Sequence, residues 1–232
     1  MTIDTLRDFV REIERAGELV RVAHPVDIKL EIAEITDRVM KSPGGGPALL
    51  FEKPVLANGK TSPVPVGINL FGSMRRMGIS LGVERLDEIG GRISELLNLK
   101  VPDGLLGKLS MLPKLAEVAK FPPRTRSGKP ACQSIVLQGD EVDLASLPIL
   151  TTWPDDGGPY ITFPMVITED PSKGIRNVGM YRVQVIGRNT VAMHWQPHKV
   201  GAAHWREMAE KGERRPVGGA PGGAPAAVDS AS

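Results

Sequence analysis

The sequence predicts an α+β protein, with a mixed helix-and-strand region in its first half and an antiparallel barrel or sandwich in its second. Up to about residue 120, helical spacing of apolar residues alternates with short strand-like runs. After residue 130, several short runs show the β-branched, alternating character that is typical of antiparallel strands. The loop TTWPDDGGPY leads into the strands of this second part.

The first half is predicted to contain helices separated by strands and by loops rich in glycine and proline. Apolar residues at helical spacing predict a first helix over residues 4–17, which begins near Asp4 and ends at Gly17. The other predicted elements are the strand ELVRV, a helix over residues 30–41, the loop SPGGGP, the strands ALLFEK and PVPVGIN, and helices in FGSMRRMGISLG, ERLDEIGGRISELLN and KLSMLPKLAEVAKF. None of these elements carries a recognisable catalytic motif.

The second half is predicted to be rich in strands, followed by one helix. Strands are expected in ACQSIVL, YITFPMVIT, NVGMYRVQVI and TVAMHW, and a helix in HKVGAAHWREMAEKG. Gly187–Asn189 reads as a short turn, so residues 177–196 are predicted to form one β-hairpin. The final stretch, VGGAPGGAPAAVDSAS, is nearly pure Gly, Ala, Pro and Ser, so residues 217–232 are predicted to be disordered and the chain to be cut short.

Composition excludes several classes of protein. The formal net charge is +2 and the basic tracts are short, so no nucleic-acid partner is expected. The single cysteine, Cys132, excludes an intramolecular disulfide and reads as a small buried apolar residue. The N-terminal helix carries charges of both signs, unlike a signal peptide, and no apolar run approaches the ~20 residues of a membrane span. These features predict a soluble cytoplasmic protein.

Residues 177–205 hold three of the four histidines and two of the three tryptophans of the chain. Strand alternation places Arg182 on the same face as Val178 and Ile186, where an unpaired guanidinium would be costly. Arg182 therefore requires an anion, and the pattern leaves open whether that anion is a protein carboxylate, a phosphate or the carboxylate of a substrate.

The histidines of this stretch are not spaced like a zinc site on one element. His194 and His198 would share a helix face, but Pro197 and the preceding strand argue against a helix there. Each histidine alone is more typical of a hydrogen-bonded structural residue. Asn177 with one histidine and an acid would suit Mn²⁺ or Mg²⁺, which often bridge to phosphate oxygens. The residues thus indicate an anion-and-metal pocket of unassigned purpose.

The runs NVGMYRVQVIG, MHWQPHKVGAAHW and TTWPDDGGPYITFPMVIT together resemble the UbiD family of decarboxylases. The similarity extends from the N-terminal helix to about Pro216. It implies non-oxidative, reversible decarboxylation of an aromatic or α,β-unsaturated carboxylic acid, with a polyprenyl 4-hydroxybenzoate of ubiquinone biosynthesis as one candidate substrate. It also implies an N-terminal α+β domain over residues 1–120 and, over residues 121–216, an incomplete split β-barrel like that of flavin reductases.

The same resemblance implies the cofactors and the site residues. The cofactors are prenylated FMN, supplied by a separate flavin prenyltransferase, and Mn²⁺, with a monovalent cation such as K⁺ as an optional companion. Asn177 and His198 match the metal ligands, and Arg182 matches the catalytic arginine, which would orient the substrate carboxylate and keep a neighbouring acid ionised. Residues that match flavin contacts are Met180, Tyr181, Arg182, His194, Trp195, Gln196, Lys199 and Val200. The family often has Arg-Gly at the last two positions, so Lys-Val is expected to weaken the phosphate contact.

The acids of the family's site have no counterpart in this sequence. The resemblance places the third metal ligand, a glutamate, and the catalytic carboxylates downstream of residue 217, and Glu207, Glu210 and Glu213 are not expected to replace them. Relatives are about twice as long and homo-oligomerise through a C-terminal domain. By family, the chain is expected to be a UbiD-type decarboxylase. For this polypeptide by itself, a flavin- and metal-binding fragment without turnover, or an unstable fragment with exposed strand edges, is favoured.

Overall fold

A computed structural model of the protein describes residues 3–98, 116, 119 and 127–231. The chain divides into two compact units, of which one comprises Met1–Arg85 with Gly139–Ser232 and the other Leu86–Gln138. No helix among the described residues is long and apolar enough to cross a membrane. The helix predicted over residues 108–121 lies almost entirely outside the described residues, and the division into domains near residue 120 stays a prediction.

The N-terminal part of the larger unit follows the prediction closely. Thr5 and Asp8 form a capping box that begins the first helix, and Gly17, with φ 73°, follows its end. The elements are α1 (Leu6–Arg15), β1 (Leu19–Asp27), α2 (Glu31–Met40), β2 (Ala48–Val55), β3 (Val66–Ile68) and α3 (Met74–Leu81). The strands form one sheet in the order β1-β2-β3, with β1 parallel and β3 antiparallel to β2.

Two apolar clusters hold this sheet and its helices together. In the first, Ile32 of α2 packs with Phe51 of β2, and both are fully buried. In the second, α1 contributes Phe9 and Ile13, which are also fully buried. Each buried aliphatic or aromatic side chain of this kind stabilises the fold by roughly 1.5–3 kcal/mol through removal of apolar surface from water. Buried apolar contacts therefore hold the N-terminal sheet and its helices together.

The smaller unit contains α4 (Asp87–Leu97), as predicted. The strand predicted in ACQSIVL is wrong, because Ala131–Gln133 form a single 3₁₀ turn and the apolar residues that follow are exposed. Cys132 is also exposed, which corrects the prediction that it is buried. The run has the β-branched residues of a strand, but no described strand lies beside it to complete a ladder.

The rest of the larger unit contains two antiparallel three-stranded sheets and two helices. Its elements are β4 (Tyr160–Ile161), β5 (Pro164–Glu169), β6 (Arg176–Met180), β7 (Val183–Val185), β8 (Val191–Met193), α5 (Val200–Glu210), β9 (Gly218–Pro221) and α6 (Pro225–Ala231). The sheet orders are β4-β7-β8 and β6-β5-β9. The fold of the described residues is thus a mixed α/β arrangement of small sheets, and these strands do not close into a barrel.

The single hairpin predicted over residues 177–196 is wrong in its first half. β7 and β8 form a hairpin around the predicted turn, but β6 pairs with β5 in the other sheet. The chain crosses between the sheets at Tyr181 and Arg182, which belong to neither strand. Alternation along a strand identifies its faces, whereas it carries no information about the sheet to which the strand belongs.

The prediction that residues 217–232 are disordered is also wrong. β9 pairs antiparallel with β5, with Gly219 opposite Val166, and α6 buries Val228. The Ser80 hydroxyl of α3 donates a 2.8 Å hydrogen bond to the Asp229 carboxylate. The Gly, Ala, Pro and Ser content of this segment indicates only that its side chains can bury little apolar surface. Backbone hydrogen bonds to an existing strand order a glycine-rich segment without large side chains.

Candidate functional site

The segment from β6 to β7 has one buried and one exposed face. Gly179, Tyr181 and Val183 are buried, whereas Val178 is 49% exposed and the Arg182 side chain 40% exposed. The alternation predicted for residues 177–186 is therefore confirmed, although the segment spans two sheets. Because α5 packs against β5 and β6, the buried face lies beneath this helix.

Arg182 has the anionic partner that the sequence requires. Its Nη2 donates hydrogen bonds of 3.0 and 2.9 Å to the two carboxylate oxygens of Asp156. Its guanidinium carbon lies 3.6 Å from the centroid of the Tyr160 ring, within the range of a cation–π contact. Asp156 is largely buried, with 11% of its side chain exposed. The guanidinium is thus held on two sides, while 40% of the Arg182 side chain remains exposed.

Asp156 is in turn fixed by the loop that carries it. Its carboxylate accepts a 3.2 Å hydrogen bond from the backbone N–H of Trp153, and its own N–H donates to the Trp153 carbonyl at 3.1 Å. Sequence reasoning missed Asp156 and Tyr160, and treated TTWPDDGGPY as a connecting loop. The available signal was its pair of adjacent acids, close to a strand whose arginine needed an anion.

Tyr181 faces the interior and holds the start of α5. Its hydroxyl oxygen accepts a 2.9 Å hydrogen bond from the N–H of Gly201, and its ring meets that of Trp195 edge-on at 4.9 Å between centroids. A Cβ at Gly201 would lie 2.4 Å from the Trp195 ring, and one at Gly179 would lie 2.7 Å from the Tyr181 ring. Both glycines are therefore required by this packing. The hydroxyl satisfies one of the N–H groups that a helix start leaves without an acceptor.

Asn177 lies beside a buried polar pair. It is the cross-strand neighbour of Thr168, whose Oγ1 is 3.0 Å from Nδ1 of His204 on α5. Thr168 is 2% and His204 8% exposed. The Nδ2 atom of Asn177 is buried and has no hydrogen-bond partner among the described residues. Burial of an unsatisfied amide costs about 1–3 kcal/mol, so this position is costly unless a ligand uses it.

The predicted metal site is only partly assembled by these residues. His198 is exposed in the loop between β8 and α5. Within residues 3–98 and 127–231, no group of three or more His, Cys, Asp or Glu side chains is placed to hold a metal ion. The Asn177 amide nevertheless fits a metal ligand, because it carries the acceptor Oδ1 beside the unsatisfied Nδ2. An amide oxygen is a suitable ligand for a hard divalent ion.

The remaining predicted contact residues lie along one stretch that ends at α5. His194, Gln196 and Val200 are exposed, whereas Met180, Trp195 and Lys199 are half-buried. Lys199 is the residue before the first turn of α5, and its side chain does not cap the helix. The start of this eleven-residue helix, next to a lysine, fits a phosphate group through the helix dipole, although the Gly201 N–H is already bonded to Tyr181.

Glu207 of α5 and Glu213 in the following turn form ion pairs at the surface. Glu207 accepts a 2.7 Å hydrogen bond from Lys211 Nζ and another from the Ser172 hydroxyl. The hydrogen bond from Lys211, followed by that from Ser172, lowers the pKa of Glu207 below its ordinary value of 4.5. Glu213 pairs with Arg215 at 3.2 Å. The expectation that Glu207, Glu210 and Glu213 do not replace the family's site acids stays a prediction.

Comparison with known proteins identifies the family. Residues 10–93 match the N-terminal domain of the 3-octaprenyl-4-hydroxybenzoate carboxy-lyase family, UbiD. Residues 124–232 match the Rift-related domain of the same family. The chain belongs to the UbiD family. The members of this family and the structural neighbours of the chain are decarboxylases.

Individual relatives cover nearly the whole chain. A protein of Aquifex aeolicus strain VF5, named only as uncharacterized, is 46% identical over 221 residues, which are 95% of this chain and 44% of the relative. An evolved dimeric form of the UbiD-class enzyme HmfF from Pelotomaculum thermopropionicum, in complex with prFMN, is 26% identical. The match has a TM-score of 0.69 and covers 95% of this chain and 45% of the HmfF chain.

The closed form of vanillic acid decarboxylase from Sedimentibacter hydroxybenzoicus shows the same fold. Its TM-score is 0.79 at 23% identity, over 100% of this chain and 45% of the decarboxylase chain. The chain thus spans less than half the length of each of these three relatives.

Proposed function

We propose that this chain is part of a UbiD-type decarboxylase that removes CO₂ from an aromatic or α,β-unsaturated carboxylic acid, with prenylated FMN and a divalent ion such as Mn²⁺. Family membership and the prFMN complex of the HmfF relative support the proposal. The observation that carries it is the state of Arg182, which is held by Asp156 and Tyr160 while 40% of its side chain remains exposed.

In this proposal Arg182 binds and orients the carboxylate that is lost. Both hydrogen bonds to Asp156 come from Nη2, so the other guanidinium nitrogens would bind the second anion. The Tyr160 ring packs against the guanidinium and limits its rotation. A substrate carboxylate held in a fixed orientation loses less entropy on the way to the transition state. This is the contribution that Arg182 would make. Prenylated FMN, when bound, supplies the electron sink for the bond that breaks.

Asn177 and His198 would hold the divalent ion, and the start of α5 with Lys199 would hold the flavin phosphate. The unsatisfied Asn177 amide and the position of Lys199 at the start of α5 support these roles. Met180, Tyr181, His194, Trp195, Gln196 and Val200 would surround the cofactor. Of these, Tyr181 acts indirectly, because its ring and hydroxyl are used inside the fold to position α5.

Several finer features belong to the same proposal. Residues 121–216 would form part of a split β-barrel, which is supported by two antiparallel sheets that share the crossing segment between β6 and β7. A flavin prenyltransferase would supply the cofactor, K⁺ would accompany Mn²⁺, and relatives of full length would homo-oligomerise. A polyprenyl 4-hydroxybenzoate of ubiquinone biosynthesis is one candidate substrate.

A second candidate function is binding of flavin and metal without turnover by this polypeptide alone. It is supported by the absence of a complete group of metal-ligating side chains in the described part of the chain. Asp156, the acid that contacts Arg182, is already used as its ion-pair partner. The family's proton-donating carboxylates would then have to come from another segment or another chain.

A carbon-exchange assay separates the two functions. The chain is reconstituted with prenylated FMN and Mn²⁺ without oxygen, and then incubated with ¹³C-bicarbonate and benzoate-, cinnamate- or furoate-type acids. Incorporation of ¹³C into the carboxyl group is expected from a decarboxylase. Arg182→Lys should abolish it, whereas Arg188→Lys, at an exposed hairpin arginine, should not. Flavin binding without exchange would favour the second candidate, and absence of both would contradict the proposed function.

A further inference from the structure

The polar pair of Thr168 and His204 lies beneath Asn177 and has no part in the function proposed above. Both side chains are more than nine-tenths buried and their polar atoms are 3.0 Å apart. Thr168 and Asn177 are directly opposite each other on β5 and β6. Cross-strand partners of this kind point to the same face of the sheet, with Cβ atoms about 4.5–5.5 Å apart.

The hydrogen-bonding capacity of a threonine hydroxyl limits what this pair can do. The hydroxyl has one proton to donate and retains lone pairs to accept. If Nδ1 of His204 accepts that proton, the Thr168 oxygen is left as an acceptor next to Asn177. The Asn177 amide has a buried Nδ2 donor that lacks an acceptor among the described residues. The Asn177 donor and the Thr168 acceptor are therefore complementary, and the two residues are directly opposite each other on neighbouring strands.

We infer that Thr168 and His204 are positioning residues for Asn177. His204, with its proton on Nε2, accepts from the Thr168 hydroxyl, and the Thr168 oxygen accepts from Nδ2 of Asn177. This arrangement turns Oδ1 of Asn177 away from the pair and presents it to a divalent cation. The inference rests on the proposed function, because it assigns the support of the metal ligand named there.

The arrangement accounts for two observations together. The Thr168 hydroxyl and the His204 imidazole are buried between β5 and α5. Apolar side chains at these positions would not have to give up hydrogen bonds with water. The neighbouring Asn177 amide has a buried Nδ2 without an acceptor, and the Thr168 oxygen would provide one. Groups that orient metal ligands in this way change metal affinity by about 10- to 100-fold when they are replaced.

Binding of Mn²⁺ measured by electron paramagnetic resonance tests the inference without an activity assay. The signal of free Mn²⁺ is followed while the ion is titrated into the chain loaded with prenylated FMN. Thr168→Val removes the hydroxyl at nearly constant shape and should weaken Mn²⁺ binding about 10-fold or more. Thr168→Ser keeps the hydroxyl and should restore affinity to within about twofold of the unchanged chain.

Thr36→Val is the matched control. Thr36 is 5% exposed, and its hydroxyl donates to the Ile32 carbonyl within α2. The substitution therefore removes a buried threonine hydroxyl from a helix that carries no proposed metal ligand. This variant should leave Mn²⁺ affinity unchanged. Thermal unfolding of each variant establishes that it is folded at the temperature of the titration. ¹⁵N resonances of His204 in the ligand-free chain should show a protonated Nε2 and an unprotonated Nδ1.

The possible outcomes separate this inference from the proposed function. Equal Mn²⁺ affinity in Thr168→Val and the unchanged chain would overturn the positioning role and leave the metal site standing. Equal losses in the Val and Ser variants, or a protonated Nδ1 on His204, would also overturn it. Absence of Mn²⁺ binding by the unchanged chain would overturn both.

Discussion

Arg76 and Arg182 lie in the two halves of the larger unit, and each pairs with one acid. Arg76 on α3 is fully buried, and its Nη1 contacts the Glu18 carboxylate at 2.8 Å and the Gly46 carbonyl at 2.9 Å. Arg182 contacts Asp156 at a similar distance but remains 40% exposed. A guanidinium enclosed in this way serves the fold, whereas one that keeps a solvent-facing surface can serve a ligand.

The surroundings of the two arginines differ in the same way. Both apolar clusters of the described residues are centred on the N-terminal sheet and its helices. Large apolar side chains are exposed in both parts, at Val20, Met40 and Met74 in the first and at Phe163, Ile167 and Val178 in the second. The difference is that the first region contains both apolar clusters, whereas the second contains the partly exposed Arg182.

The largest expected effect concerns the core of the N-terminal sheet. Phe51→Ala removes a fully buried ring from β2 and should lower the free energy of unfolding by about 3–5 kcal/mol. Phe163→Ala makes the same deletion at a position that is 54% exposed, where the ring stacks on Phe71, and should cost less than half as much. Urea denaturation measures both. Similar losses would break the contrast between the two regions.

The next effect concerns the enclosed ion pair. Glu18→Gln leaves the buried Arg76 guanidinium without a charged partner and should lower the free energy of unfolding by about 3 kcal/mol. Glu52→Gln, in a half-exposed pair with Arg21, should cost about 1 kcal/mol or less. Chemical denaturation of the two variants checks the difference, and a small loss for Glu18→Gln would contradict the structural role of Arg76.

Asp156→Asn should separate stability from function. The pair with Arg182 is partly exposed, so its loss should change the free energy of unfolding by about 1 kcal/mol or less. The guanidinium would no longer be held against its partner, and ¹³C exchange in the reconstituted protein should fall by about 10-fold or more. A strong loss of stability with unchanged exchange would assign Arg182 to the fold, like Arg76.

The smallest effect is a pH dependence at the surface of α5. The pKa of Glu207 is lowered from 4.5 by its hydrogen bonds with Lys211 and Ser172. Its contribution to stability is therefore fully present above pH 4.5 and is lost as the pH falls through the lower pKa of the folded state. Glu207→Gln should unfold at a slightly lower temperature than the unchanged protein at pH 7. The two melting temperatures should converge near pH 3, and a difference that persists there would contradict this assignment.

Local patterns predicted those parts of the molecule that local interactions determine. The apolar spacing of α1 and the turn between β7 and β8 are examples, whereas α1 is capped by Thr5 and Asp8 and not at the predicted Asp4. The sheet that β6 joins and the pairing of β9 depend on partners distant in the sequence, so alternation and composition could not supply them.

The candidate site, too, could be predicted from the sequence only in part. The expectation that Arg182 needs an anion assumed a buried apolar strand face. That face is exposed, and Arg182 is nevertheless paired with Asp156. The identity of Asp156 did not follow, because the two residues are 26 positions apart and meet only in the folded chain. The pairing of Thr168 with His204 was hidden for the same reason, since they are 36 positions apart.

Cofactor binding by the purified chain tests the central claim most directly. Prenylated FMN is titrated with and without Mn²⁺ and followed by flavin absorbance, for the unchanged chain, for Asn177→Ala, and for Asn189→Ala in the exposed hairpin turn as the control. Saturable binding that Mn²⁺ strengthens, that Asn177→Ala abolishes and that Asn189→Ala preserves is the expected result. Absence of binding by a folded chain, or binding indifferent to both Mn²⁺ and Asn177, would contradict the claim that these residues form a cofactor site.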